Sequence, residues 1–308
     1  MATIPSDRRW VDSALAWYFV VAWGSGYLAT KVGVHHAAPF TFLTLRYGFG
    51  ILCLIPIVLW SKPHWPRSRT ELGHVIVAGL LMHAVNLSGS HYAQYLGMTA
   101  GNVAVMLSIQ PLITAVIAAR WMGERLTRWQ WLGVMIGLAG VTLVVWHKID
   151  IRAVTTGSLI AVVVALTGVT GGTLYQRVFC PVVDLRAGAL VQFVASFAVL
   201  LPLAFTVEGF KVIWDWQLFA AIAFLVIGAS ILAVNALHTL MRRGQATRVT
   251  SLLYLTPILA VALEFLMFGV VPTPVSLFGI AITCTGVALV AWRVRPLTAR
   301  AEVAAPRP

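Results

Sequence analysis

Ten apolar stretches of about 20 residues recur along the chain with only short polar breaks between them, and this recurrence constrains the fold more than any other feature. They cover approximately residues 13–34, 39–60, 71–96, 100–122, 129–147, 156–178, 186–207, 216–241, 246–270 and 274–293. A hydrocarbon core about 30 Å thick is crossed by a helix of about 20 apolar residues, so the expected fold class is all-α integral membrane with ten transmembrane helices. Composition agrees: 59% of the 308 residues are hydrophobic and 10% charged, against roughly 25% charged in an ordinary soluble domain. The breaks are too short to hold a soluble domain, so the helices themselves must carry the function. Arg8 and Arg9 precede the first stretch as in a signal peptide, but that stretch is long and runs on into further spans, as an uncleaved first helix does.

The formal net charge of +12 raises the question of nucleic acid, but no predicted loop carries more than three basic residues. Membrane orientation accounts for the charge instead. Assigning loops alternately to two sides puts seventeen of the 22 Lys and Arg on the side of the N-terminus and three, Lys148, Arg152 and Lys211, on the other. Lys31 and Arg46 fall inside spans. Cytoplasmic loops are enriched in Lys and Arg, so both termini are expected in the cytoplasm, which requires an even number of spans. The three cysteines, Cys53, Cys180 and Cys284, are odd in number and suggest no disulfide framework. The segment 294–308, rich in Ala, Pro and Arg, reads as a disordered cytoplasmic tail.

Sliding the chain against itself by 146 residues brings Lys31 onto Arg177, Gly26 onto Gly172, Pro56 onto Pro202 and Pro111 onto Pro257 without a gap. Gly123, Gly133, Gly140 and Trp146 likewise meet Gly269, Gly279, Gly286 and Trp292. The chain therefore reads as a duplication, 1–148 and 155–293, with five spans in each half. Five is odd, so the second half crosses the membrane in the opposite sense and the repeats are inverted. The charges agree: "RWMGERLTR" at 120–128 ends span four, whereas its partner "LMFGVVPTP" at 266–274 has no charge. Inverted repeats are typical of secondary transporters, with the substrate near the midplane between the halves.

The segments "AWGSGYLATK", "GNVAVMLSIQPLITAVIAARWMGERLTRWQWLGVMIGLAGVTLVV" and "ATRVTSLLYLTPILAVALEFLMFG" resemble the hallmark stretches of EamA-type permeases of the drug/metabolite transporter superfamily. The resemblance implies a ten-helix exporter of amino acids and related metabolites, similar to exporters of aromatic amino acids, some members also exporting toxic organic compounds. One departure concerns the acidic residue that often follows the glycine ending each fourth helix. It is present as Glu124 but replaced by Val270 in the second half.

Glu264 is the one acidic residue expected within the membrane, where a charge costs on the order of 3 kcal/mol. Lys31 and Arg46 fall in the same outer third, so Glu264 is expected to pair with one of them, as a structural ion pair or a gate, unless its carboxylate serves a substrate amine or a proton. Trp17, Gly24, Tyr27 and Lys31 recur at helical spacing on one face of span one. His83, Asn86, Ser90 and Gln94 form a polar stripe on span three, either bonding neighbouring helices or lining a water-filled path. Ser108 and Gln110 lie next to Pro111, which frees a backbone carbonyl one turn earlier near Leu107; Pro257 does the same near Leu253, beside Tyr254. Trp10 and Trp60 read as membrane-interface aromatics.

The substrate-binding residues expected from this pattern are Trp17, Tyr27, His83, Asn86, Ser90, Gln110 and Tyr254. Candidate hinges are Pro56, Pro111, Pro202 and Pro257. There is no Gly-rich phosphate loop and no histidine pair at the spacing of a zinc helix, and His35 and His36 are adjacent, so no metal, cofactor or enzymatic chemistry is expected. The expected partners are a small-molecule substrate and membrane lipid, not nucleic acid; a monomer is compatible with the pattern, which leaves the oligomeric state open. The favoured reading is an inner-membrane secondary transporter exporting amino acids or related metabolites by alternating access. A multidrug or toxic-cation exporter is the alternative, and an intramembrane enzyme or lipid-handling scaffold a remote one.

Overall fold

A computed structural model of the chain describes residues 6–121, 126–150, 154–242 and 255–291. Helix α1 is Ser6–His36, α2 Pro39–Ser61, α3 Arg69–Tyr95, α4 Ala100–Trp121 and α5 Arg128–Asp150. Then come α6 Thr156–Phe179, α7 Leu185–Thr206, and α8 as the unbroken series Trp216–Ala223, Phe224–Leu232 and Ala233–Arg242. The described chain ends with α9 Thr256–Phe268 and α10 Pro274–Ala291. Among the described residues there is no strand, only an isolated bridge between Ala37 and Val212. Polar caps mark where breaks become helices: Ser68 accepts from the Glu71 amide, Thr99 from Asn102, and Thr155 and Ser158 form a capping box.

Six helices, α2, α3, α4, α6, α7 and the 216–237 part of α8, are long and apolar enough to cross a membrane, and α5, α9 and α10 hold shorter apolar segments. The protein is therefore a multi-pass membrane protein. Helix α1 has 31 residues but is not one of the six, because Gly24, Ser25, Gly26, Tyr27 and Lys31 dilute its apolar content. Those small residues serve packing: a Cβ on Gly24 would lie 3.0 Å from Leu259 of α9, and one on Gly26 3.7 Å from Leu225 of α8. Helix α4, expected to be continuous, breaks at Ser108–Ile109, and the Ser108 hydroxyl donates to the Val105 carbonyl at 2.6 Å. Pro111 supplies no N–H to close that turn. Of the expected 246–270 span, residues up to 254 lie outside the described chain, as do the 294–308 tail and Glu124.

Two stretches widen into π-helix, Leu80–Val85 within α3 and Phe224–Leu232 within α8. Under the 146-residue offset the first maps onto 226–231, inside the second. Helix α2 packs on α7, α3 on α6, α1 on both α8 and α9, and α4 on α9. The closest pairing is α5 with α10, where Gly133 and Gly140 face Gly286, Gly279 and Thr283 backbone to backbone. Helices α2 and α3 also pack together, whereas α7 and α8, their counterparts five helices on, make little contact.

Candidate functional site

At the end of the bundle where α1, α3, α7 and α9 finish and α2, α4 and α8 begin, two carboxylates tie the helices together. Glu264 of α9 is 3% exposed. Its Oε1 accepts from Lys31 Nζ of α1 at 2.8 Å and from the Ala100 amide at 3.0 Å, and its Oε2 accepts from the Gly101 amide at 2.9 Å. A helix N-terminus carries unpaired N–H groups and a partial positive charge, so one carboxylate joins three helices through charge-assisted bonds. Lys31 Nζ also lies 4.4 Å from the centroid of Phe268. Glu208, just past α7, does the same for α2: Oε1 accepts from the Phe40 amide at 2.9 Å and from the Tyr92 hydroxyl at 2.6 Å. Oε2 accepts from the Thr41 amide and hydroxyl, each at 2.8 Å. The Ile213 amide, donating to the His36 carbonyl at 2.8 Å, closes the same end.

Toward the other end, the described residues leave a hollow. A cavity of 540 Å³ lies between α2, α7 and α8, walled by Leu54 and Ile57, by Asp184 and Arg186, and by Ser230 and Asn235. Its volume falls within the range of small-molecule sites. Arg46 of α2 stands behind one of these walls: its Nη2 donates to Ser230 Oγ at 3.3 Å.

Similarity to known proteins identifies the kind of chain that carries these ties and this cavity. The EamA-like transporter family matches residues 13–146 and again 155–292. The chain belongs to the EamA-like transporter family. The "uncharacterized inner membrane transporter YedA" of Escherichia coli K12 is 25% identical over 79% of this chain and 78% of its own. A "probable amino-acid metabolite efflux pump" of the same strain is 24% identical over 89% of this chain and 93% of its own. A "probable terminal-alkyne amino-acid exporter" of Streptantibioticus cattleyicolor is 24% identical over 93% and 95%. One solved crystal structure shares the fold with a TM-score of 0.65 and 18% identity, covering 94% of this chain and 100% of that one. The protein is thus a multi-pass membrane transporter of the EamA-like family.

The residues singled out from the sequence of this EamA-family chain do not all meet. Glu264 takes Lys31, and Arg46 lies with Ser230 instead. His83 Nε2 is 3.2 Å from Gln192 Oε1 of α7, between the rings of Tyr47 and Phe193. Asn86 donates to the Met82 carbonyl of its own helix, and Gln110 Nε2 donates to Thr114 and, at 3.5 Å, to Thr173 of α6. Ser90 is buried, Tyr27 packs against the core around Val103, and Trp17 is 52% exposed. None of the six described substrate candidates, Trp17, Tyr27, His83, Asn86, Ser90 and Gln110, walls the 540 Å³ cavity, and Tyr254 lies outside the described chain. Pro56 and Pro202 sit inside unbroken helices, Pro111 follows the α4 break, and Pro257 occupies the first turn of α9. Trp10 and Trp60 are exposed, as interface aromatics are.

Glu208, Tyr92 and Ser230 escaped sequence reasoning. A signal for Glu208 does exist. Helix α2 starts at Ala38-Pro39 with neither a capping side chain nor an acidic residue in its first turn, so its free amides need an acceptor from elsewhere in the chain.

Proposed function

We propose that the protein is a secondary transporter that exports amino acids or related small metabolites by alternating access, built of ten transmembrane helices in two inverted five-helix repeats with both termini cytoplasmic. The observation that carries this reading is the asymmetry of the two halves: α2 packs on α3 while α7 and α8 stand apart around the cavity. Two inverted copies of one unit in different arrangements leave one side closed and the other open, and exchanging the arrangements moves the opening across the membrane. On the expected orientation the carboxylate-tied end is external and the cavity opens toward the cytoplasm, where a substrate for export is loaded.

The names carried by the relatives support amino-acid metabolites as cargo. Helix α3 supports a polar route: Asn86 Oδ1, Ser88 Oγ, both nitrogens of His91 and the side-chain amide of Gln94 are buried without hydrogen-bond partners, a state that water or substrate relieves. Tyr27, Asn86, Ser90 and Gln110 are proposed to meet substrate along that route. The cation-exporter alternative draws on Glu264 and aromatic faces, and Glu264 is already occupied by three donors. The test is counterflow in proteoliposomes across a panel of amino acids and lipophilic cations. Amino-acid counterflow supports the reading, whereas exchange of cations alone, or of nothing, refutes it.

A further inference from the structure

Arg46 is 9% exposed, and among the described residues no carboxylate forms an ion pair with it. Its Nε has no hydrogen-bond partner, and its bond to a neutral hydroxyl, Ser230 Oγ at 3.3 Å, is long. A buried guanidinium without a counter-charge is costly, and the carboxylate expected to offset it, Glu264, is committed to Lys31. The architecture does not require the charge. Under the 146-residue offset the counterpart of Arg46 is Gln192, a neutral amide on α7 that meets His83 in the π-helical stretch of α3, just as Arg46 meets Ser230 in that of α8.

We infer that Arg46 is an anion anchor that binds the carboxylate of the transported solute at the inner wall of the 540 Å³ cavity. This rests on the transporter reading proposed above. Ser230 both walls the cavity and holds Nη2, and its own hydroxyl donates to the Leu225 carbonyl at 2.9 Å, so a lone pair is turned to the guanidinium. The planar fork of an arginine fits a carboxylate with two parallel bonds. The Tyr47 hydroxyl, on the next residue of α2, and both His91 nitrogens are buried without hydrogen-bond partners, a state that water relieves. A single cation favours a monoanion, and Leu54, Ile57 and Ile231 of the cavity wall offer an apolar side chain a neighbour.

The test is binding to purified protein in nanodiscs, read by thermal unfolding and by tryptophan fluorescence, with phenylalanine, phenylacetate, phenylalaninamide and inorganic phosphate as probes. Phenylalanine and phenylacetate should bind at least tenfold tighter than the amide. Arg46→Gln should weaken both carboxylates about ten- to a hundredfold and erase their advantage over the amide, with Arg46→Lys in between. Because an uncompensated charge is removed, Arg46→Gln without ligand should unfold at the same or a higher temperature. Equal binding of phenylalanine and its amide, a preference that survives Arg46→Gln, tighter binding of phosphate, or no binding of any probe overturns the anchor. Counterflow of the same probes separates the two readings: counterflow of phenylalanine and its amide alike sinks the anchor alone, and carboxylate binding without counterflow sinks the transporter.

Discussion

Removing the charge of Glu264 tests whether the carboxylate clasp holds one end of the bundle shut. Taking one partner from a buried ion pair costs about 3–5 kcal/mol. Lys31 keeps 19% exposure, which places this pair at the lower end, and the amide oxygen of Glu264→Gln still accepts one backbone N–H, recovering about 1 kcal/mol. The expected loss is about 2–3 kcal/mol. Lys31→Met should cost less, about 1–2 kcal/mol, because Glu264 keeps the Ala100 and Gly101 amides. The double variant should fall short of the sum by at least about 1 kcal/mol.

If the clasp is what keeps that end closed, the same energy raises the open population about 30- to 150-fold. Val103, fully buried on α4 one turn below the clasp, supplies the reporter. With Cys53, Cys180 and Cys284 replaced by Ser, a Val103→Cys protein should resist a membrane-impermeant maleimide applied to whole cells and react once Glu264→Gln is added. Additivity within about 0.5 kcal/mol, or unchanged labelling, refutes the gate.

Three further outcomes follow from named contacts. A cysteine at Asp150 should label from outside intact cells, since the Lys148 and Arg152 loop lies on the sparsely basic side; labelling only after permeabilisation sinks the inverted five-plus-five arrangement. Tyr92→Phe removes the 2.6 Å bond to Glu208 and should lower stability by about 1–2 kcal/mol, while in a Glu208→Gln background its effect should shrink, as chemical denaturation will show. Gly140→Ala sets a Cβ 2.5 Å from the Thr283 amide and 2.7 Å from the Gly279 carbonyl and should cost about 1–3 kcal/mol, whereas Gly171→Ala, with nothing within 4 Å, should be neutral or stabilising in thermal unfolding.

What was legible in the sequence is what a one-dimensional pattern encodes. Apolar runs marked the helices, and the depth of Glu264 marked it as a residue in need of a partner. Choosing between Lys31 and Arg46 was beyond it, because both lie at similar depth and only the packing of α1 on α9 brings Lys31 to the carboxylate. Glu208 looked like a loop residue for the same reason: the amides that donate to it, those of Phe40 and Thr41, are more than 160 positions away. Prolines were the visible hinge signal, yet Pro56 and Pro202 lie in unbroken helices, and the widest departures from α-helix fall at Leu80–Val85 and Phe224–Leu232, which contain no proline. A π-turn arises from which neighbours press on a helix, and hydropathy does not record that.

Those two π-helical stretches show how one duplicated unit reaches two arrangements. They occupy equivalent positions on α3 and α8, and each receives a side chain from the equivalent position of the opposite repeat, Gln192 of α7 on one side and Arg46 of α2 on the other. The contacts differ in what they leave unsatisfied. On the α3 side an amide meets an imidazole with no net charge involved, and α3 also packs on α2. On the α8 side a guanidinium meets a hydroxyl, its charge is unbalanced, and α7 stands off from α8 with the cavity between them. Closing that gap with the cavity empty would bury a bare cation further from water, which costs free energy. Closing it around a carboxylate removes that cost. On the proposed reading, then, the fold couples closure of the cavity to the presence of its anionic cargo through one residue, with the clasp at Lys31 and Glu264 set against it at the other end.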